Sequence, residues 1–374
     1  MNRREVSLLV LVAFIVGLTL ALVIRFPLWY SETEKERGSS SQVVDPNRAA
    51  SRRWRVPVSF PTNLEVLGDN IIYVAGLVDS LSNGAFEFLI AEPKEIVPEF
   101  QIVDAVREGK IPAGYTWLGY DQGKIPASPL LGAVPFGLEP WEFSSWWFEG
   151  GGEQLAQELY ARDGVHVLLC GLIGPETAGW FREPINSLDD LRGLKIRFAG
   201  LGGKVIERTG ASVTMIPGAE IFQALEKGAI DATEYSLPNV DQSLGFDRVA
   251  KLNYFPGWHQ VFTSIHLTVN MDEWQALTSQ EQSILETACT AGVTRNLAKA
   301  EAVQGPIIAG FAEKGVTANY LPEEVLRELN RLSDEVMAEE SANDVDFKRI
   351  YESQTAFRAD YAHWKRFAYL PRDF

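Results

Sequence analysis

The chain has 374 residues, a formal net charge of −16, 46% hydrophobic residues and 22% charged residues. This composition is typical of a globular protein with one large or two ordinary domains, and it excludes global disorder. Affinity for nucleic acid and anionic membranes comes largely from Lys and Arg. We therefore exclude nucleic acid as a partner.

The first 29 residues predict export from the cytoplasm. A short basic leader containing Arg3 and Arg4 precedes an uncharged apolar run at 7–24, whose length is near the minimum for a membrane-spanning helix. The charge bias places the amino terminus in the cytoplasm and the body outside, in the periplasm. A cleaved signal peptide and a retained anchor both fit. The aromatic flank at 26–30 and the lack of a small-x-small cleavage site favour the anchor.

The polar residues 30–53 predict a linker, and the next segments predict a first α/β lobe over 54–168. Alternating apolar residues predict strands at 54–60 and 86–90, and helical spacing predicts helices at 67–81 and 100–108. Strands alternating with helices favour a parallel sheet covered on both faces.

A second lobe is predicted over 169–262. Strands are expected at 165–170 and 194–198, followed by helices at 202–209, 220–227 and 237–246. A strand at 266–270 is expected to return the chain to the first lobe. Residues 263–374 then continue as carboxyl-terminal helices, one of which begins at Pro322.

Cys170 and Cys289 are too few for a disulfide framework and lack C-x-x-C spacing. The sequence allows one bridge, but two buried thiols are the favoured interpretation. The four histidines lack close metal-ligand spacing, and His259 is interpreted as a loop-pinning residue. Nucleophile-elbow, P-loop and zinc-protease motifs are absent, so an enzyme is not favoured.

Two charged residues stand out because each follows a short apolar run. Arg197 is expected at the carboxyl end of a strand, where ligands gather in α/β sheets. It can clamp a carboxylate through two hydrogen bonds or form an ordinary salt bridge. Glu234 precedes Tyr235 at another expected strand end, and a hydrogen-bonded pair is the simpler interpretation. Tyr120 belongs to an aromatic, glycine-containing loop that suggests exposure.

Several long motifs occur in the order found in one family: the stretches at 134–137, 174–181, 194–198, 221–235 and 256–260. From Trp54 to the carboxyl end, the chain resembles the DctP-type solute-binding proteins of TRAP transporters, in the branch that binds 2-oxo acids or lactate. The resemblance implies an α/β, two-domain periplasmic solute-binding fold of type II-like architecture. It also implies a ligand cleft between the domains and a helical carboxyl-terminal region.

The resemblance also implies roles for individual residues. Arg197 would bind the ligand carboxylate, while Tyr120 and Phe60 would line the pocket. A Ca²⁺ or Na⁺ ion would bridge protein and ligand. Its ligands in the family match Glu234 and the carbonyl of Tyr235.

The chain departs from the family at two ion positions. Glu176 stands where the family has Gln, and Gln260 stands where it has Glu. Our hypothesis is that the two exchanged roles around a retained ion, since both supply hard oxygen donors and the charge is unchanged. The alternative is that the ion is lost and Glu176 pairs with a nearby base.

The function implied is capture of a small monocarboxylate such as pyruvate or lactate for a membrane permease. An anchored ligand sensor with the same fold is the first alternative, and a periplasmic enzyme on this scaffold is the second. The helical tail is also compatible with a homodimer.

Overall fold

A computed structural model describes residues 51–370. The predicted anchor or signal peptide at 1–29 and nearly all of the predicted linker at 30–53 lie outside these residues. None of the helices between 51 and 370 has the length and apolarity needed to cross a bilayer.

Eleven strands and twelve α-helices occur in the described part of the chain. The strands are β1 (Arg52–Pro57), β2 (Phe86–Ala91), β3 (Ala113–Thr116), β4 (Val165–Ile173), β5 (Gly179–Phe181), β6 (Lys195–Arg197), β7 (Ser212–Thr214), β8 (Ala232–Thr233), β9 (Leu252–Phe255), β10 (Thr263–Asn270) and β11 (Thr317–Tyr320). The α-helices are α1 (Asn70–Leu81), α2 (Ile102–Arg107), α3 (Pro140–Glu149), α4 (Gly152–Ala161), α5 (Gly200–Glu207), α6 (Gly218–Glu226), α7 (Pro238–Ser243), α8 (Phe246–Val249), α9 (Met271–Gln275), α10 (Ser279–Ala309), α11 (Glu323–Asn343) and α12 (Val345–Ala368).

The strands form two lobes. In the first lobe, β1 pairs with β2, and a second sheet has the order β3-β10-β4. A bridge between Val58 and Tyr115 joins the two sheets. The second lobe is a six-stranded sheet of order β11-β9-β5-β8-β6-β7. The fold is the two-domain α/β architecture expected from the sequence, with helices forming most of the carboxyl-terminal third.

The prediction of a purely parallel sheet is wrong. β10 runs antiparallel to both β3 and β4, and β5 runs antiparallel to β8 and β9. The apolar pattern identifies strands but carries no information on their direction. β10 must run back along β4 because it returns the chain from the second lobe to the first. The structure also differs at β11, which joins the sheet of the second lobe rather than the first.

Two long strands connect the lobes. β4 leads out of the first lobe, β10 leads back, and the two pair from Thr263 with Ile173 to Asn270 with Val165. Nearly every residue of both strands is buried. The long helix α10 packs against β4 and α1. Its first turn is fixed by Thr278 and Glu281, each of which accepts a hydrogen bond from the other's backbone N–H.

Cys170 of β4 and Cys289 of α10 form a disulfide. The favoured expectation of two free thiols is therefore wrong, and the alternative of one bridge holds. Spacing alone could not decide this, because 119 residues separate the two cysteines. The pairing depends on α10 docking against β4, which is a tertiary event. A buried structural disulfide is typical of proteins outside the cytoplasm.

Candidate functional site

Short second-lobe strands end at one edge of the sheet and place two charged residues there. β6 ends with Arg197, and β8 is followed at once by Glu234; the two strands are parallel neighbours. The backbone N–H of Glu234 donates to the carbonyl of Arg197 at 3.1 Å, so the pairing of β6 with β8 continues to Glu234. The carboxyl ends of parallel strands meet at one edge, where α/β proteins bind ligands.

A small cavity lined by buried and half-buried residues lies between this edge and the first lobe. It has a volume of about 20 Å³, enough for about one water molecule. Its walls contain all seven residues predicted for the site: Phe60, Tyr120, Glu176, Arg197, Glu234, Tyr235 and Gln260. Leu67, Trp117, Ala199 and Thr263 complete the lining. A three-carbon acid is larger than this cavity, so its entry requires the walls to separate.

Arg197 is held by three hydrogen bonds and keeps one free amino group. Its Nη1 donates to the carboxylate of Glu234 at 2.8 Å and to the carbonyl of Glu234 at 2.9 Å, and its Nε donates to the carbonyl of Ile216 at 3.3 Å. Its Nη2 has no hydrogen-bond partner within residues 51–370. The ring of Tyr235 lies under the guanidinium, 5.2 Å away. Arg197 thus forms the salt bridge of one alternative, and the carboxylate clamp stays a prediction.

The two acidic residues of the cavity have opposite electrostatic environments. Burial alone would raise the pKa of Glu234, but the positive charge of Arg197, the neighbouring His259 and the backbone N–H of Ala199 together outweigh burial and lower that pKa. Burial, together with the neighbouring charge of Glu234, raises the pKa of Glu176 well above its usual value. The hydroxyl of Thr263 donates to Glu176 Oε1 at 2.8 Å but does not offset this. Without a cation, the cavity therefore favours a proton on Glu176 over one on Glu234.

The donors present fit a cation. Glu176, Glu234 and His259 each place one ligand atom within 4.8 Å of the other two. Glu176 Oε2 and Glu234 Oε2 are buried and make no hydrogen bond to any described residue. Buried polar atoms normally have partners, so two unpaired carboxylate oxygens facing each other are explained by a positive ion between them.

Aromatic side chains close the cavity on the first-lobe side. Tyr120 contacts Phe60, Phe100 and Trp117, with ring centroids 6.3, 4.6 and 5.0 Å away. Trp117 was not predicted as a site residue. Its indole occupies space left by three glycines, because a Cβ added to Gly119, Gly132 or Gly200 would lie within 3 Å of it.

Sequence reasoning also missed His259 and Thr263. Thr263 begins β10 and bonds Glu176, which lies just beyond the end of β4, so the two connecting strands meet at the cavity. No sequence pattern marks this contact. His259 was interpreted as pinning a loop, whereas its ring faces the two carboxylates. One signal for a role of His259 in the site was available in the sequence. This histidine directly precedes Gln260, which departs from the residue expected in the family.

These features define a class: a two-lobed binding protein with a small, charged cavity between its lobes. The model of the DctP family, described as bacterial extracellular solute-binding protein, family 7, matches residues 61–344. The chain belongs to this family. Its curated relatives include the monocarboxylate 2-oxoacid-binding periplasmic protein of Nostoc sp., 34% identical over 315 residues, which are 84% of this chain and 86% of that protein.

Solved structures of two relatives superpose closely. One is a TRAP transporter solute-binding protein from Bordetella bronchiseptica, a dimer with copurified calcium and picolinate. It is 34% identical, with a TM-score of 0.83 over 85% of this chain and 95% of that one. The other is a TRAP periplasmic solute-binding protein from Pseudoalteromonas atlantica with bound sodium and pyruvate. It is 29% identical, with a TM-score of 0.82 over 85% of this chain and 97% of that one.

Proposed function

We propose that this protein captures a small monocarboxylic 2-oxo or 2-hydroxy acid, such as pyruvate or lactate, in the periplasm. It would deliver the acid to the membrane permease of a TRAP transporter. The observation that carries the proposal is the buried guanidinium of Arg197, which lines the cavity together with the unpaired carboxylates of Glu176 and Glu234. In this proposal Arg197 clamps the carboxylate of the acid, and Phe60, Tyr120 and Tyr235 surround its short carbon chain.

With Ca²⁺ in the site, charge balance supports a single carboxylate on the ligand. With Glu176 and Glu234 both ionised, a divalent cation neutralises the two carboxylates, and Arg197 retains one positive charge. One ligand carboxylate then brings the buried site to neutrality. A dicarboxylate would leave an uncompensated negative charge in a dry cavity, which is costly. The ligands named for the Nostoc and Pseudoalteromonas relatives agree with a monocarboxylate.

The mechanism proposed is closure of the two lobes over the acid. The cavity has walls from both lobes and too little room for the acid to enter unaided. Contacts from both sides form only in the closed state and therefore stabilise closure. The charged, aromatic and carbonyl groups of the site suit binding of the acid, and we propose binding without turnover. A retained anchor at 7–24, the sensor alternative that depends on it, and a homodimer stay predictions.

A screen of small acids tests this proposal. We expect pyruvate or lactate to bind the purified protein when Ca²⁺ or Na⁺ is present, and to bind weakly after both are removed. Saturation at 100 times Kd raises the free energy of unfolding by about 2.7 kcal/mol, which thermal unfolding detects. Isothermal titration calorimetry then gives the affinities. Succinate, which adds a second carboxylate, serves as the control ligand. Equal binding with and without cations would contradict the bridging ion.

The exchanged residues Glu176 and Gln260 allow a second test. We expect Glu176→Gln to weaken Ca²⁺ binding because it removes one of the two carboxylates. Loss of a direct ligand costs at least the roughly 10–100-fold seen when an outer partner is removed. The double variant Glu176→Gln/Gln260→Glu should recover most of the affinity, since it returns a carboxylate to the same cavity from the other side.

Calcium titration calorimetry measures both effects. The exposed Glu183→Gln is the matched control and should bind like the wild type. If the double variant binds no better than Glu176→Gln, Gln260 does not face the ion, and the exchange of roles is wrong.

A further inference from the structure

Three buried polar atoms without hydrogen-bond partners converge at one point of the cavity wall. They are Glu176 Oε2, Glu234 Oε2 and His259 Nε2, on residues no more than 2% exposed. His259 Nε2 lies 3.6 Å from Glu234 Oε2 and 3.9 Å from Glu176 Oε2. An unpaired buried polar group is destabilising because it has lost its hydrogen bonds to water. Three of them facing one another indicate a common partner.

The imidazole of His259 is fixed in this orientation. Its ring packs edge-on against Phe198, with centroids 4.7 Å apart, and lies 5.5 Å from the ring of Trp258. The Cβ of His259 lies against Gly202: a Cβ added to Gly202 would be only 2.7 Å from the Cβ of His259. The ring cannot withdraw without displacing the start of α5. Neither ring nitrogen bonds to a described residue.

The separations suit three ligands of one ion. Ligand atoms at about 2.1 Å from a tetrahedral ion lie about 3.4 Å apart. The observed 3.6 and 3.9 Å require only small shifts. A purely electrostatic His–carboxylate pair would instead bring its atoms into hydrogen-bond range, and these distances exceed it.

The donor type determines which ions the site favours. Ca²⁺ and Na⁺ are hard cations that prefer oxygen ligands. An imidazole nitrogen favours Zn²⁺, Co²⁺, Ni²⁺ and related ions, for which affinity generally rises along the first transition row. We propose that His259 is a direct third ligand of the ion and that the site binds Co²⁺ or Zn²⁺ more tightly than Ca²⁺. This inference rests on the ion site of the proposed function.

Cobalt provides a visible probe of this proposal. Addition of Co²⁺ to metal-stripped protein should produce d–d absorption that saturates at one equivalent. An equal concentration of Ca²⁺ should not remove the absorption, and Zn²⁺ should. His259→Gln places an oxygen near the position of Nε2. This variant should lose at least about 10–100-fold in Co²⁺ and Zn²⁺ affinity, a larger loss than in Ca²⁺ affinity, because an amide oxygen replaces the nitrogen. The exposed His363→Gln should behave like the wild type.

A second measurement needs no variant. Electron spin-echo spectra of the wild-type protein loaded with Cu²⁺ should contain modulation from an imidazole ¹⁴N. Absence of this modulation would overturn the proposal, as would Ca²⁺ displacing Co²⁺ at equal concentration. Pyruvate binding with Ca²⁺ is tested separately. If pyruvate binds and no nitrogen is detected, this inference fails while the proposed function stands.

Discussion

Replacement of Arg197 by alanine is expected to weaken binding of the acid by roughly 30-fold to several thousand-fold, corresponding to about 2–5 kcal/mol. Arg197 is the only guanidinium among the described residues that line the cavity, and the substitution leaves the buried carboxylate of Glu234 without its 2.8 Å partner. The ligand carboxylate then loses its guanidinium partner. Titration calorimetry with pyruvate and saturating Ca²⁺ measures the loss.

Two further variants separate recognition from folding. Arg197→Lys keeps the charge but loses the planar fork, so it should retain the fold and still bind the acid poorly. Arg192→Ala removes an exposed arginine of the same lobe, 73% exposed at its side chain, and should leave affinity unchanged. Wild-type affinity in a folded Arg197→Ala variant would refute the carboxylate clamp.

Local sequence patterns predict the placement of Arg197 and Glu234 well. Each follows a short apolar run, and each run is a strand whose parallel neighbour ends at the same edge. The rule that such edges bind ligands then brings the two side chains together. Assignment of Glu176, Gln260, Tyr120 and Phe60 to the same cavity depended on the resemblance to a family. These residues come from both lobes, and no local pattern links them.

His259 and the cysteine pair show why other features of the site and the fold could not be predicted from the sequence. His259 lies in the loop between β9 and β10, where no periodicity constrains the side chain. Its direction is set by Phe198 and by the lack of a side chain at Gly202. Cys170 and Cys289 meet only because α10 packs along β4. Both features depend on contacts between elements distant in sequence, and composition and spacing do not contain that information.

Removal of the disulfide is expected to destabilise the protein by about 2–5 kcal/mol, near the upper end of that range. The bond closes a loop spanning 119 residues, and the conformational entropy it removes from the unfolded chain grows with loop length. The test is to measure the free energy of unfolding of Cys170→Ala/Cys289→Ala in guanidinium chloride. Reduced wild-type protein is the control, because it loses the bond but keeps both sulfur atoms and thereby separates cross-linking from packing.

The bridge should matter more for stability than for recognition. Cys170 and Cys289 are buried between β4 and α10, and neither lines the cavity. The bond fixes α10 to a strand that connects the lobes, within the first-lobe sheet. The second lobe therefore remains free to close. We expect pyruvate affinity of the double alanine variant to stay near the wild-type value at temperatures where it is folded. A large loss of affinity in the folded variant would instead make the bridge part of the closing mechanism, since only closure couples α10 to the acid.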